Sequence, residues 1–330
     1  MSANKGFCGP FAAYLQSFLA EKRALGFKCI EQERCLHEFD NLSLGYDCSS
    51  GLPKDLVMAY VEKKPHWSRS TQRHKVSTAR NIAVFLRNHG VSAFLCDEKC
   101  ATQDQGNFKP YIFTRQQIES IFQRADNISP RGSVNSDLFY PVVLRMLYGC
   151  GLRISEALML KMKDVDLSEG LLYIYDSKNH KDRIIPMDES LTPFCRKYAE
   201  QIHALYAEED YFFKSPRSGG SYAKHTVYYY FRELMWKCGI SHGGRKNGGP
   251  RLHDLRHTFC VHSLHQFLKN GTPHKAALPV LSAYMGHSSL DSTSRYLRLT
   301  AEAFPELVAR IDEIYGHVIP DLEVRLVETD

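Results

Sequence analysis

Apolar residues recur at three- and four-residue steps through most of the first hundred positions, a spacing typical of helices that bury one face. The pattern predicts four helices in this part of the chain, at 11–25, 31–39, 55–63 and 70–89. Gly26 and Gly90 end the first and the last of them, as expected for residues that follow a helix. We therefore expect a helical domain over 1–102.

Apolar content falls over 101–110, where Gly and Pro appear, and we expect a linker at 103–110. A second domain, 111–330, is predicted to contain helices at 115–124 and 136–148, a third that opens near Arg153, and more after Asp188. Two short β-prone runs, 171–175 and 183–186, flank the polar stretch DSKNHKD and predict a hairpin. The fold class is thus expected to be mainly α with a small β-hairpin or sheet.

The composition is close to the average for a globular protein, since 43% of the 330 residues are hydrophobic and 24% are charged. This balance excludes disordered and fibrous classes. No run approaches the roughly 20 apolar residues of a membrane span, and we expect a cytoplasmic protein. The 10 cysteines are scattered, which favours reduced thiols, and the pair Cys96 and Cys100 lacks a second pair at zinc-site spacing.

A formal charge of +5 is by itself a weak pointer to function. The charge is nevertheless concentrated: seven Lys and Arg residues oppose Glu62 alone between positions 62 and 89. Cations interleaved with hydroxyls suit a helix that grips phosphates, although a solvated basic face explains the pattern equally well. The candidate DNA contacts on this helix are Arg69, Arg73, Lys75 and Arg80. Its predicted inward residues are Val76, Ile82, Val84, Phe85 and Leu86.

Four stretches of the second domain hold polar residues that packing does not require: GCGLRISEALML, the hairpin, RLHDLRHTF and YMGHSSLDSTSRYL. Taken singly, each is weak evidence. An arginine beside a helix start pairs readily with a nearby carboxylate, and a hairpin lysine is usually solvated. The candidate reactive residues in these stretches are Arg153, Lys178, His253, Arg256, His287 and Tyr296.

The order and spacing of these residues resemble the tyrosine recombinase family, the phage-integrase-type or Xer-like recombinases. The motifs GLRISEAL, KDRIIPM, HDLRHTF and MGHSSLDSTSRY follow that family's boxes closely, and the resemblance covers residues 111–300. The helices of 1–102 are similar in kind to the family's core-binding domain, which clamps DNA. The resemblance implies a catalytic domain at 111–330 and site-specific recombination through a 3′-phosphotyrosine intermediate.

The residues themselves suit this chemistry. Guanidinium groups at Arg153 and Arg256 donate to phosphate oxygens, and a further donor is available at His287. Tyr296 is the nucleophile, and because a phenol has a pKa of about 10, it needs a base, for which His253 is the candidate. Lys178 is the expected general acid for the 5′ oxygen. This set requires no metal and no cofactor.

Some neighbouring residues have supporting or alternative assignments. Glu156 is expected to support an arginine rather than to react. Lys181 is an alternative to Lys178 and otherwise a phosphate contact. A zinc site built on His253 and His257 is disfavoured, since Arg256 lies between them and would repel a metal ion.

Further DNA contacts are predicted in the second domain at Lys224, His225, Arg232 and Arg251. The segment 302–316 predicts an amphipathic helix whose apolar stripe is Phe304, Leu307, Val308, Ile311 and Ile314. Such a helix usually packs on its own domain. The resemblance implies instead that it docks on a neighbouring protomer, in a homotetramer on two DNA duplexes that is a monomer or dimer when free.

Two alternatives to a recombinase remain open from the sequence: a catalytically silent DNA-binding protein on the same scaffold, and a type IB topoisomerase. The helices begin close to the first residue, so we expect no additional arm-binding domain. This favours a mobile-element integrase or transposase, or a dimer resolver, that acts on double-stranded DNA with specific core sites. We expect a nucleoid-associated location, and an accessory DNA-bending or directionality factor is compatible with this role but is not specified by the sequence.

Overall fold

The computed structural model describes residues 6–100, 109–129, 135–175, 182–203, 206–243, 249–287 and 291–305. The chain divides into two compact units, Met1–Phe108 and Lys109–Asp330. Apart from its last two residues, the predicted linker at 103–110 lies outside the described part of the chain. Within the described ranges, none of the helices has both the length and the apolar character that crossing a bilayer demands.

In its described range, 6–100, the first unit contains four helices that pack on one another around an apolar core. They are α1 (Ala12–Ala24), α2 (Ile30–Ser43), α3 (Lys54–Val61) and α4 (Arg69–Asn88). A short 3₁₀ turn, Glu98–Cys100, follows. All four predicted helices are therefore confirmed, with bounds that differ by a few residues.

Helix α4 begins at a side-chain cap, since the Oγ of Ser68 accepts a hydrogen bond from the backbone N–H of Thr71 at 3.0 Å. Its buried face includes Val76, Ile82 and Leu86. The prediction that Val84 points inward is wrong, because this side chain is 45% exposed. Two residues along a helix correspond to a rotation of about 200°, so Val84 faces away from Ile82.

The second unit contains eight helices among its described residues. They are α5 (Arg115–Asp126), α6 (Ser136–Gly149), α7 (Ile154–Met159), α8 (Thr192–Ile202), α9 (Lys224–Lys237), α10 (Asp254–Lys269), α11 (His274–Met285) and α12 (Asp291–Ala303). The predicted helices at 115–124 and 136–148 are confirmed as α5 and α6. The helix predicted to open near Arg153 is α7, whose N-cap is Arg153.

The sheet of this unit has three antiparallel strands in the order β1 (Val165–Asp166), β2 (Leu171–Ile174) and β3 (Arg183–Pro186). Strands β2 and β3 form the predicted hairpin, with Leu171 opposite Pro186 and Ile174 opposite Arg183. Strand β1 was not predicted, since two residues are too few to show an alternating pattern. The predicted fold class, mainly α with a small sheet, is confirmed.

Helix α10 is the centre of the second unit and packs against α6, α11 and α12. It buries apolar residues such as Leu255 and Val261, as a central helix should, but it also buries Arg256 and His257. A charged or polar side chain is rarely buried without partners, so these two side chains mark a specialised region. The predicted helix at 302–316 lies outside the described residues from position 306 onward.

Candidate active site

The N-terminus of α7 places Arg153 beside α10. Gly151 precedes it with a φ of +57°, a conformation that L side chains rarely adopt, and a Cβ at this position would lie 2.5 Å from the ring of Phe259. The absence of a side chain thus lets the turn lie directly against α10. The side chain of Arg153 is 19% exposed, and its Nη1 donates to Oε1 of Glu156 at 2.6 Å.

Arg256 is buried, with 2% of its surface exposed, and its guanidinium joins three segments of the chain. Nη1 donates to the carbonyl of Gly151 and Nη2 to the carbonyl of Met285, each at 2.5 Å. Burial and the charge of Arg153 lower the pKa of Arg256 to about 10, so the group remains cationic at neutral pH. Its fixed position makes it a preorganised donor for an anion.

Glu156 is the buried acceptor that holds these cations together. Oε2 accepts from Nη2 of Arg183 at 2.9 Å and lies 3.8 Å from Nη1 of Arg256, while Oε1 accepts from Arg153. Burial favours a higher pKa for Glu156, but the hydrogen bonds and charges of Arg183, followed by those of Arg153, bring its pKa below the ordinary value. The expectation that Glu156 supports an arginine is confirmed, and it supports three.

Arg183 was not identified from the sequence as a site residue. It lies on β3, and its Nε donates to the carbonyl of Tyr284 at 3.0 Å while its guanidinium contacts Glu156. These bonds attach the base of the hairpin to α7 and α11. Its position directly after the polar hairpin stretch was the available signal. Lys178 and Lys181, in the same hairpin, lie outside the described residues.

Tyr296 lies on α12 and is almost fully buried, at 1% exposure. Its hydroxyl is 2.7 Å from Nδ1 of His257, one turn into α10. Burial raises the pKa of Tyr296, and the adjacent guanidinium of Arg295, with Nη2 3.5 Å from the hydroxyl, opposes part of that effect. The sequence indicates His257 only as part of a disfavoured zinc site, although its i, i+4 spacing from His253 places both on one helix face.

His287 follows α11 and lies beside the same tyrosine. Gly286 ends that helix with a φ of +63°, in the left-handed region that favours glycine. Nδ1 of His287 is 2.7 Å from Oγ1 of Thr293, and its ring lies parallel to that of Tyr296 at 6.3 Å between centroids. Burial, followed by the charges of Arg256 and other arginines, lowers the pKa of His287 to about 4, so the ring is neutral at pH 7.

His253 is the N-cap residue of α10, and its ring centroid lies 4.8 Å from that of His257. His253 is exposed to solvent, yet the protein atoms around it and the charge of Arg256 lower its pKa below its ordinary value. The structure thus brings His253 close to the tyrosine's hydrogen-bond partner. Its role as the base stays a prediction.

The five described members of the predicted catalytic set are brought together, although they come from α7, α10, α12 and the segment after α11. These five are Arg153, His253, Arg256, His287 and Tyr296. The result is a buried phenol close to several cations, an arrangement that can stabilise a bound anion.

The basic face predicted on α4 is only partly exposed. Arg69 and Arg73 lie on the surface, and Arg80 is half-buried, where it contacts the Cys96 carbonyl and Glu98. The prediction that Lys75 contacts DNA is wrong. Its side chain is 4% exposed and its ammonium pairs with Glu38, because position 75 falls on the side of α4 that faces α2 and α3.

Helix α9 presents an exposed stripe that contains both cations and aromatic rings. The predicted DNA contacts Lys224, His225 and Arg232 are exposed. Tyr229 and Trp236, not predicted, lie on the same face at 75% and 78% exposure. The remaining candidate, Arg251, is half-buried, and its backbone N–H and guanidinium donate to Asp254 at 2.8 and 3.4 Å.

Residues 112–303 match the phage integrase family, and this segment covers more than half of the chain. The chain belongs to the phage integrase family. It is 27% identical over 315 residues to the integrase/recombinase y4rB of Sinorhizobium fredii, a match that covers 92% of this chain and 97% of the relative. It is 26% identical over 294 residues to the tyrosine recombinase XerD of Listeria innocua, covering 86% and 92% of the two chains.

The fold of the site-specific recombinase XerH, solved bound to palindromic difH DNA as a post-cleavage complex, is similar. The TM-score is 0.63 at 17% sequence identity, and the match covers 86% of the present chain and 80% of XerH. With the family established, the chain is a DNA strand-cleaving and rejoining recombinase that acts at specific sites. None of these findings favours the silent DNA-binding protein or the topoisomerase.

Proposed function

We propose that this recombinase cleaves DNA by attack of the Tyr296 hydroxyl on the scissile phosphorus, which gives a 3′-phosphotyrosine intermediate and a free 5′ hydroxyl. The observation that carries the proposal is a buried phenol beside the arginine cluster, with its oxygen hydrogen-bonded to His257 at 2.7 Å. The covalent link retains the energy of the phosphodiester, so that a second strand can reverse the step.

The charges of the cluster suit a phosphoryl-transfer transition state. Arg153, Arg183 and Arg256 carry three positive charges against the single negative charge of Glu156. A phosphodiester brings one negative charge and gains another as the fifth bond to phosphorus forms. The excess of cations thus stabilises the transition state more than the ground state, which is the condition for catalysis. Arg153 and Arg256 are the proposed phosphate ligands, with His287 as a further donor.

Lys178 is the proposed acid that protonates the departing 5′ oxygen. Its hairpin is attached to the cluster through Arg183, immediately after the segment that carries Lys178. An ammonium near several guanidinium groups loses its proton more readily than one in water, which suits this role. Lys181 is proposed as a phosphate contact beside it. No metal and no cofactor enter the proposed reaction.

The two units are proposed to bind double-stranded DNA, with 1–102 as the clamping domain, 103–110 as linker and 111–330 as the catalytic domain. The proposed DNA contacts are Arg69, Arg73, Arg80, Lys181, Lys224, Arg232 and Arg251. Cations on α4 and α9 supply the phosphate neutralisation that dominates affinity for DNA. Aromatic rings beside the cations of α9 add contact area in the same stripe.

A homotetramer is proposed on stoichiometric grounds. Exchange between two duplexes breaks four strands, and each protomer supplies one Tyr296. The segment 302–316 is the proposed link between neighbouring protomers. Accessory factors that set the direction and a nucleoid-associated location in the cytoplasm belong to the same proposal. A mobile-element origin is also proposed, and the integrase/recombinase relative supports that part.

The test begins with a DNA site selected from random-sequence duplexes by binding to the wild-type protein. Nicked versions of that site release a short strand after cleavage and trap the adduct, which denaturing gels detect as a DNA-linked protein. We expect an adduct with the wild-type protein and none with Tyr296→Phe, which should bind the site with unchanged affinity. An adduct formed by Tyr296→Phe would assign the nucleophile to another residue and refute the proposal.

A further inference from the structure

The Tyr296 hydroxyl and Nδ1 of His257 form a buried hydrogen bond of 2.7 Å between α12 and α10. The two side chains are 1% and 4% exposed, so bulk water competes little for either partner. The contact joins residues 39 positions apart, and the packing of α10 on α12 maintains it. The oxygen that must attack phosphorus is thus already bound to an imidazole.

The surroundings determine the protonation of this pair. Burial, followed by nearby positive charges, lowers the pKa of His257 to about 3, whereas burial raises the pKa of Tyr296. At neutral pH the imidazole is therefore neutral and the phenol protonated. The phenol has one hydrogen to donate, and a neutral imidazole has one nitrogen that accepts it. The groups that face the pair are His253, Arg256, Cys260, Arg295, Arg251 and His287.

We propose that His257 is a catalytic residue, the acceptor of the Tyr296 proton as the tyrosine attacks the scissile phosphate. The bond from Oη to phosphorus forms, the bond from phosphorus to the 5′ oxygen breaks, and the phenol proton moves to Nδ1 of His257. On rejoining, the 5′ hydroxyl attacks phosphorus and gives its proton back to Lys178, the bond from phosphorus to Oη breaks, and His257 returns its proton to the departing tyrosine. This inference rests on the proposed role of Tyr296 as nucleophile.

A bound phosphate would change the charge around His257. Burial lowers the basicity of His257 most, followed by His253 and the charges of three arginines, the last of which is Arg256, a proposed phosphate ligand. A phosphate bound there offsets the contribution of Arg256, and the pKa of His257 then rises by that part, while burial continues to lower it. The free enzyme keeps its phenol protonated, and the enzyme–DNA complex gains a base in hydrogen-bond contact with the nucleophile.

The test compares His257→Asn with a matched control, His262→Asn. Asparagine offers polar atoms near the position of Nδ1 but does not take up a proton at neutral pH. His262 lies on the same helix, is 7% exposed, and places its own Nδ1 2.9 Å from the hydroxyl of Tyr148. The two substitutions therefore remove the same kind of contact, but only one removes it from the nucleophile.

The rate of adduct formation on the selected nicked site is measured between pH 6 and pH 8.5. We expect His257→Asn to be slower at pH 7 by about 100-fold or more, the usual contribution of a general base. Its rate should rise about tenfold per pH unit, because the phenol then loses its proton to hydroxide. The control should follow the wild-type profile. A DNA site with sulfur as the bridging 5′ atom needs no acid and should restore cleavage to Lys178→Ala but not to His257→Asn.

DNA binding by each variant verifies that it is folded, and His257→Gln replaces His257→Asn if the latter fails to bind. A wild-type rate in the His257 variant overturns the inference. A rate lowered by the same factor at every pH also overturns it, since it assigns His257 a positioning role without proton transfer. Failure of the proposed function gives a different result, namely no adduct with the wild-type protein or an adduct with Tyr296→Phe.

Discussion

Replacement of Glu156 by Gln tests whether one buried carboxylate holds the arginine cluster together. The side chain is 7% exposed, and its two oxygens accept hydrogen bonds from Arg153 and Arg183 at 2.6 to 3.2 Å. Gln keeps the size of the side chain but removes its charge and turns one acceptor into a donor. That donor then faces guanidinium groups, which also only donate.

The magnitude follows from the contacts that are lost. Each carboxylate oxygen accepts hydrogen bonds from both Arg153 and Arg183. Replacement of either oxygen by the amide nitrogen of Gln therefore removes at least two hydrogen bonds. A hydrogen bond to a charged group contributes about 1.5–3 kcal/mol, and breaking a buried ion pair costs about 3–5 kcal/mol. Arg153 is partly exposed and can turn toward water, which reduces the cost. We therefore expect Glu156→Gln to lower the free energy of unfolding of the second unit by about 3 kcal/mol.

Urea unfolding followed by hydrogen–deuterium exchange of peptides from α10 measures this free energy separately from that of the first unit. The matched control is Glu209→Gln, since Glu209 also pairs with two cations, Lys161 and Lys163, but is 63% exposed. The control should leave the unfolding free energy unchanged, because exposed ion pairs contribute little. Equal stability of the two variants would refute the reasoning that burial makes Glu156 a structural centre of the site.

Three further predictions follow from burial and packing. Burial, followed by the charge of Arg115, lowers the pKa of His262 to about 4. The unfolded chain therefore binds more protons than the folded chain between about pH 6.5 and 4, and the free energy of unfolding decreases as the pH is lowered through this range. When the pH is lowered from 7 to 5.5, the free energy of unfolding of His262→Asn, measured by urea titration, should decrease by about 1 kcal/mol less than that of the wild-type protein. Gly151→Ala should lower the melting temperature, since its Cβ would overlap the ring of Phe259. Lys75→Gln should reduce stability and spare DNA affinity, whereas Arg73→Gln should weaken binding and reduce its salt dependence in titrations at several salt concentrations.

Much of the local structure was predictable because it depends on neighbours in the sequence. Helix α4 shows this, since its amphipathic period and its Ser68 cap are both local features. The predicted hairpin likewise follows from two β-prone runs around a polar turn. Strand β1 was missed, because two residues acquire strand geometry only by pairing with β2.

The basic helix shows where local information ends. Arg73 and Lys75 are two positions apart and chemically alike, yet one lies on the surface and the other pairs with Glu38 inside the first unit. Helical periodicity predicts that residues two positions apart point in different directions. The packing of α2 and α3 against α4 determines which of these directions faces the interior.

The sequence by itself determined the helical architecture, the hairpin and a set of reactive residues whose order and spacing match one family. Those properties depend on residue type and on distance along the chain. Only the tertiary structure decided that Glu156 holds three arginines and that His257, rather than His253, hydrogen-bonds to the Tyr296 hydroxyl. Such contacts join segments up to about a hundred positions apart, and they are set by which helix faces pack together, which spacing along one chain does not specify.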